Sequence, residues 1–272
     1  MRLRILLVGV VFLSATFSFS YQEVKELNLT AAGIKALEIK CGAGSLEVVG
    51  REGLGEIQVT AEIVVKGASE KKAERFVQER MKLSLEKIGG KAVLVSKFKQ
   101  PQPVLFSFKE KAINLTVNVP KKMPLRIDDG SGWLKVGHIE GNIVIDDGSG
   151  SVKIEDIIGK VEIDDGSGSI QAEKIEGDME IDDGSGEVEM KNVAGDVWID
   201  DGSGNIEVRS ILGSVSIVDG SGSIYVEDVQ GDVEVSDGSG SINVNGVERD
   251  VIIKRAGSGS VNIRNVKGKI SK

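Results

Sequence analysis

The sequence predicts an all-β protein: a parallel β-solenoid (a β-helix or β-roll) of 18-residue turns, right-handed, with an N-terminal cap that holds one helix and a hairpin. Three observations carry this. The pentad D-D-G-S-G starts at Asp128, Asp146, Asp164, Asp182 and Asp200, and V-D-G-S-G from Val218 and S-D-G-S-G from Ser236 follow in the same register, 18 residues apart each time. A fixed period of this kind marks a repeat architecture. Between pentads the apolar residues alternate with polar ones and show no helical period, so each turn holds two short strands and two tight bends. The composition is 40% hydrophobic but only 4% aromatic, with 35 glycines in 272 residues. Abundant Val and Ile with few aromatics suit many small, similar core layers better than one globular centre.

Taken in order, residues 1–20 read as a signal peptide. Arg2 and Arg4 precede an apolar run from Ile5 to Leu13 that is too short to span a bilayer, and Ser18-Phe19-Ser20 offers small residues for cleavage before Tyr21. No Cys follows that run, which argues against a lipid anchor, and no second membrane segment is expected. Residues 21–126 read as N-terminal strands and a cap. Leu37, Ile39 and Cys41 alternate, as do Ile57, Val59, Ala61 and Ile63. The piece I-K-C-G-A-G-S-L-E-V from Ile39 aligns with I-D-D-G-S-G-S-V-K-I from Ile145, a degenerate first turn in which Cys41 stands for the second Asp. Being the one cysteine, Cys41 has no internal disulfide partner, and the alignment favours a small buried side chain. Ser69 can cap a helix over residues 69–80 whose apolar face is Ala73, Phe76, Val77 and Met81. Leu83 and Leu85, then Gly89-Gly90, then Val93 and Val95 predict a hairpin. Pro101 and Pro103 mark a loop. Ile113, Leu115, Val117 and Val119 form a strand ending at Pro120, and Leu125 and Ile127 lead into the first pentad.

Residues 127–272 read as the solenoid. One turn is approximately D-G-S-G-x-I-x-V-x-x-V-x-G-x-V-x-I-x, with Ile175 at a corner and Gly177 at the second bend. Without helices to bridge parallel strands, each strand pairs with its counterpart one turn away, about 4.8 Å distant. About nine turns make a stiff rod roughly 40 Å long. The period slips by one residue near Arg255, where the pentad decays to R-A-G-S-G, and a basic tail follows that can blunt an exposed strand edge.

The net charge of −8 conceals an asymmetry: residues 21–127 hold 12 acidic and 19 basic residues, 128–245 hold 28 and 6, and 246–272 hold 2 and 7. An acidic body between basic ends repels nucleic acid, whose binding rests on neutralising phosphates.

Strand parity assigns roles within the pentad. Val161, Ile163 and Asp165 point inward, Glu162 and Asp164 outward. The inward Asp recurs at Asp129, Asp147, Asp165, Asp183, Asp201, Asp219 and Asp237, while the outward one is replaced at Val218 and Ser236. Carboxylates stacked about 5 Å apart repel by roughly 0.8 kcal/mol per neighbour even at the dielectric of water, and by more inside. Three compensations fit. Each carboxylate can accept hydrogen bonds from the following G-S-G, as in Asx-turns. The column can bind cations, Ca²⁺ first, which makes these seven aspartates the candidate metal ligands. Or some stay protonated. No catalytic residues emerge. Ser directly follows Gly in all seven copies, unlike a nucleophile elbow, and the one histidine, His138, cannot serve seven serines; beside the corner residue Ile139 it fits a solvated bend better than a metal ligand. Outward Glu162, Glu180, Glu187, Glu189 and Glu207 repeat without basic partners, unlike the paired groups of a polysaccharide-cleaving β-helix enzyme. Trp133, Trp198 and Tyr225 fall at outward parity, where they can cover the sheet or stack on sugar rings.

A strand ending V-N-V-P before the repeats, followed by tandem G-S-G-x-[IV] turns with V-x-G-x-V between them, resembles the bacterial "putative adhesin" family, domains of unknown function with tandem G-S-G-type β-solenoid repeats. The resemblance spans roughly residues 35–265. It implies an exported or membrane-attached chain forming a single β-solenoid stack, and it brings no catalytic motif. The strict D-D before G-S-G departs from such domains, which often carry Thr or Ser there.

Together these readings give a non-enzymatic, exported, adhesin-like module of the cell envelope, periplasmic, cell-surface or secreted. Its expected partners are an envelope polymer, a membrane surface or another protein, and no cofactor is required. The alternatives are a Ca²⁺-stabilised structural module and a polysaccharide-acting enzyme.

Overall fold

A computed structural model describes residues 20–99 and 108–272. The signal segment, Ser20 apart, and the loop at Pro101 and Pro103 lie outside the described residues. The chain divides into two compact units, residues 1–134 and residues 135–272.

In the first unit the strands are β1 (Ser20–Thr30), β2 (Leu37–Cys41), β3 (Leu46–Arg51), β4 (Glu56–Lys66), β5 (Met81–Ile88), β6 (Lys91–Phe98), β7 (Glu110–Pro120) and β8 (Leu125–Asp129), with α1 (Glu70–Arg80) between β4 and β5. One sheet runs β1-β4-β7-β3 and the other β8-β2-β6-β5. Solenoid-like parallel pairing joins β3 to β7 and β2 to both β6 and β8. The insertion adds antiparallel pairs, β1 with β4, β4 with β7 and β5 with β6.

Strand β1 is absent from the sequence reading for a physical reason. Its inward positions are Tyr21, Glu23, Lys25, Leu27 and Leu29, so an ion pair between Lys25 and Glu23 interrupts the apolar alternation. Helix α1 forms where the spacing of three and four placed it. Ser69 is its N-cap residue, with an extended backbone, yet its side chain makes no capping hydrogen bond. Glu70 in the first turn and Arg80 in the last complement the helix dipole. Ala73 and Val77 are buried, and the helix packs on β1 and β5, the outermost strands of the two sheets. Phe76 adds ring contacts to Phe98 and Phe108 at 5.1 and 4.6 Å. The cap therefore covers strand edges that would otherwise offer unpaired backbone groups. In the hairpin, Gly89 (φ 56°) and Gly90 (φ 83°) take the left-handed conformations of a type I′ turn. The inward residues of β6 are Ala92, Leu94 and Ser96, while Val93 and Val95 are half-buried.

The second unit takes most of β9 (Gly132–Glu140) and continues through β10 (Ile143–Asp147), β11 (Gly150–Ile158), β12 (Val161–Asp165), β13 (Gly168–Glu176), β14 (Met179–Asp183), β15 (Gly186–Val193), β16 (Val197–Asp201), β17 (Gly204–Ile211), β18 (Val215–Asp219), β19 (Ile224–Val229), β20 (Val233–Asp237), β21 (Ile242–Val247), β22 (Val251–Arg255), β23 (Val261–Val266) and β24 (Ile270–Ser271). The odd-numbered strands form one parallel sheet in this order and the even-numbered strands the other, eight strands in each. Partners are offset by 18 residues, as in Ile163↔Ile181 and Ile170↔Val188. Near the C-terminal end Val235 pairs with Ile253 but Ser236 with Arg255, the one-residue slip that the sequence shows.

Two local devices make the turn. The second glycine of each pentad sits directly on its counterpart in the previous turn. A Cβ built on Gly186 (φ 152°) would lie 1.4 Å from the carbonyl oxygen of Gly168. Glycine is required there by the stacking of turns, beyond any preference of the bend. The corner depends on a residue in the left-handed region at His138, Asp156, Lys174, Asn192, Ser210 and Asp228, φ 55–60°, each just before the buried corner residue. The ladder skips this residue: Glu155 pairs with Glu173 and Ile157 with Ile175. Because both strands skip it, the register holds, and the left-handed kink lets Ile154 and Ile157, three residues apart, both point inward. The core is a column of such apolar residues. Ile143, Val161 and Val233 are fully buried, and so are Ile154, Ile170 and Ile224.

Candidate functional site

The inward aspartates are where parity placed them. Asp147, Asp165, Asp183, Asp201, Asp219 and Asp237 are at most 3% exposed and stack in register on consecutive strands β10 to β20. Asp129, in the first unit, is buried to the same degree. In the middle of the stack one oxygen of each carboxyl closes an Asx-turn. The amides of Ser167, Ser185, Ser203 and Ser221 donate to Oδ1 of Asp165, Asp183, Asp201 and Asp219 at 2.9–3.1 Å. At Asp147 and Asp237 the amides of Ser149 and Ser239 face the carboxyl without reaching hydrogen-bond geometry. The Oδ2 atoms of Asp165, Asp183, Asp201 and Asp219 are buried and accept no hydrogen bond.

Electrostatics follow from that asymmetry. Burial disfavours the charged form and dominates; the Ser amide opposes it; neighbouring carboxylates add to it except at Asp237, where Arg255 opposes it. Asp165, Asp201 and Asp219 are pushed up to about 6, and Asp147, Asp183 and Asp237 are also raised. Of the three compensations read from the sequence, the turn hydrogen bonds are present at Asp165, Asp183, Asp201 and Asp219, and burial favours the protonated form without fixing it. Among the described residues no group of three or more His, Cys, Asp or Glu side chains is placed to hold a metal ion.

The remaining candidates are scattered. Cys41 is half-exposed, not buried as the alignment implied, and its Sγ lies 3.8 Å from the carbonyl oxygen of Asp128. It occupies the second-Asp position as aligned, since Lys40 pairs with Asp128. His138 sits in the solvated bend, its Nδ1 3.2 Å from Oδ2 of Asp156 one turn on. Trp133 belongs to the first unit and is 43% exposed, and Trp198 is 38% exposed on β16. Tyr225 lies on β19 in the opposite sheet from Trp198, under the Arg209 guanidinium, so these two do not form one platform. The outward glutamates do have basic neighbours: Lys160 bridges Glu162 and Glu180, and Arg209 pairs with Glu207.

Sequence reasoning missed an open groove of about 550 Å³ on the even-numbered sheet of the second unit. Trp198, Ser216 and Glu234 stand in one outward row on β16, β18 and β20. Beside it a second row occupies the bends. There Asp196 Oδ1 accepts the Ser214 amide at 2.7 Å, Ser214 Oγ accepts the Asp232 amide at 3.2 Å, and Asp232 Oδ1 accepts the Asp250 amide at 3.0 Å. The signal was present in the repeat: the turn at β18 alone puts serine in both rows, which lowers the floor between its neighbours.

No curated protein matches the chain. Solved structures similar to it include a "putative cell adhesion protein" from Clostridium sporogenes, 14% identical, with 93% of this chain and 98% of that one covered at a TM-score of 0.30. Another is a "putative lipid binding protein" from Parabacteroides distasonis, 17% identical, with 92% and 93% covered at a TM-score of 0.41. A third is a "putative adhesin" from Bacteroides fragilis, 15% identical, with 92% and 96% covered at a TM-score of 0.29. With these TM-scores below 0.5, the fold stands on this chain's own strand pairing. The profile of one family, described as Toastrack DUF4097, matches residues 34–230, from the first solenoid-like strands through the pentad that starts at Val218. By that match and by its architecture, the chain belongs to the Toastrack DUF4097 family.

Proposed function

We propose that this chain is an exported, non-enzymatic interaction module of the bacterial cell envelope, adhesin-like in action. The observation that carries the reading is repetition. The outward rows of the second unit are polar over most turns, with glutamate stacked on glutamate at Glu162↔Glu180 and Glu189↔Glu207, and the turn that departs, at Trp198 and Ser216, brings no acid–base pair of its own. An active site needs one turn that departs from the others with an acid and a base together. A repeated polar surface suits broad, multipoint attachment instead. Charge supports the same reading: basic residues prevail in 21–127 and 246–272, on either side of an acidic body, and basic ends are drawn to anionic envelope polymers and membrane surfaces. No helix among the described residues is long and apolar enough to cross a membrane. The test is sedimentation of the purified protein with envelope fractions. Binding that falls at high salt is the expected result, and no binding to any fraction would remove the proposal.

A second reading has one observation in its favour. The buried Oδ2 atoms of Asp165, Asp183, Asp201 and Asp219 accept no hydrogen bond, and oxygens of this type are what Ca²⁺ takes. A Ca²⁺-stabilised module would melt at higher temperature with added Ca²⁺ than with chelator; unchanged melting would exclude it.

A further inference from the structure

We propose that the groove beside Trp198 is a saccharide-binding site that takes a neutral sugar unit. The proposal rests on the reading of this chain as an interaction module and names a ligand class for one face of it. The turn at β18 carries Ser214 and Ser216, and the turns on either side carry larger side chains, Asp196 and Trp198 before it, Asp232 and Glu234 after it. The result is a notch between walls that stand on strands two spacings apart, about 9.6 Å between strand axes, with a hydroxyl floor, an indole and a carboxylate on one wall and two carboxylates on the other. That is the size and chemistry of a pyranose ring with its hydroxyls. The apolar C–H face of a sugar packs on an exposed aromatic face, and Trp198 is 38% exposed. Sugar hydroxyls need acceptors, and Asp196 and Asp232 supply them in fixed positions. Each has one oxygen engaged by a backbone amide of the next turn, which orients the carboxylate and leaves the other oxygen to accept.

Charge selects among sugars and against cations. The acidic bends repel uronic acids and phosphorylated sugars. The two glutamates that flank the notch in the Trp198 row already hold ammonium groups, Glu180 that of Lys160 and Glu234 that of Lys254. A basic peptide would have to displace those lysines, whereas a neutral hydroxylated ligand would not.

The chain has two tryptophans, so Trp133→Phe leaves Trp198 as the sole indole reporter. This variant, titrated with neutral gluco-, manno-, galacto- and N-acetylglucosamine oligosaccharides, should show a saturable change in emission with at least one series, insensitive to salt. In the unaltered chain, Trp198→Ala and Ser216→Arg, both at surface positions and checked for native circular dichroism, should each weaken calorimetric affinity roughly tenfold or more. No response to any series, or undiminished binding by both variants, overturns the proposal. A response to oligolysine alone that disappears at high salt overturns it too, in favour of a cation site. If Trp198→Ala still sediments with envelope material while no oligosaccharide binds, the saccharide site falls and the interaction module stands. If oligosaccharides bind but no envelope fraction does, the site stands and the envelope reading falls.

Discussion

The amide of Ser185 donates to Oδ1 of Asp183 at 3.0 Å, while Oδ2 of the same carboxyl is buried with no hydrogen bond. Half of the side chain is a turn device and half is a burial penalty, and the two halves can be separated by substitution. Asp183→Asn keeps the Oδ1 acceptor and removes the charge. We expect it to stabilise the protein by about 1–3 kcal/mol at pH 8 and to be near neutral at pH 4. Asp183→Ala removes the acceptor as well and should cost about 1 kcal/mol or more relative to Asn. Denaturant titration at both pH values checks the pair.

The column also sets how stability depends on pH. Asp165, Asp201 and Asp219 titrate near 6 in the folded chain, against about 3.9 when unfolded. A raised pKa means that the folded state holds protons that the unfolded state has released. The associated stability is therefore fully present below about pH 4 and is lost as pH rises through about 6. A tenfold difference in proton affinity between the two states is worth about 1.4 kcal/mol at each carboxyl, and the coupled column should lose several kcal/mol in total. Melting followed from pH 4 to pH 8 should fall, and the fall should shrink in the triple variant Asp165→Asn, Asp201→Asn, Asp219→Asn. A profile that rises over this range would contradict the assignment.

Gly186 distinguishes stacking from bending. Gly186→Ala places a methyl within 1.4 Å of the Gly168 carbonyl oxygen and should cost about 4 kcal/mol or more. Gly53→Ala, at φ 69° with open space around it, should cost only the left-handed strain, about 1–2 kcal/mol. The difference in melting temperature between the two reads the contact between turns.

At the corner, Lys174 holds φ 59°. Lys174→Gly removes the left-handed penalty and should be neutral to stabilising by up to about 1 kcal/mol, although glycine is costly in a strand. Ile175→Ala, one residue on and buried, should cost about 2–5 kcal/mol. Equal effects of the two would argue against the left-handed residue as the corner device.

Ser69 is the N-cap residue of α1 without a side-chain capping bond. Ser69→Ala should therefore cost less than about 0.5 kcal/mol, below the usual value of about 1 for a capping serine. Thermal unfolding measures it directly.

The sequence by itself determined the period, the register and the inward face of the second unit. Each of these follows from local alternation repeated every 18 residues, and identical neighbours leave the pairing no other register. The burial of Asp165 and its counterparts was legible for the same reason, and helix α1 and the hairpin from local signals, spacings of three and four and a Gly89-Gly90 turn. Other features depended on partners distant in the chain. β1 has Glu23 and Lys25 on its inner side, so only pairing with β4 reveals it. β6 turns Leu94 inward instead of Val95, because Leu94 aligns with Ile39 of β2. Cys41 holds the position of a buried Asp but pairs with Ser96 at a half-exposed strand end, so it stays partly open. The Trp198 groove and the raised proton affinity of the aspartate column also belong to the tertiary structure. Both arise from residues 18 apart brought side by side, where the size and charge of one decide what space and what ionisation remain to the next.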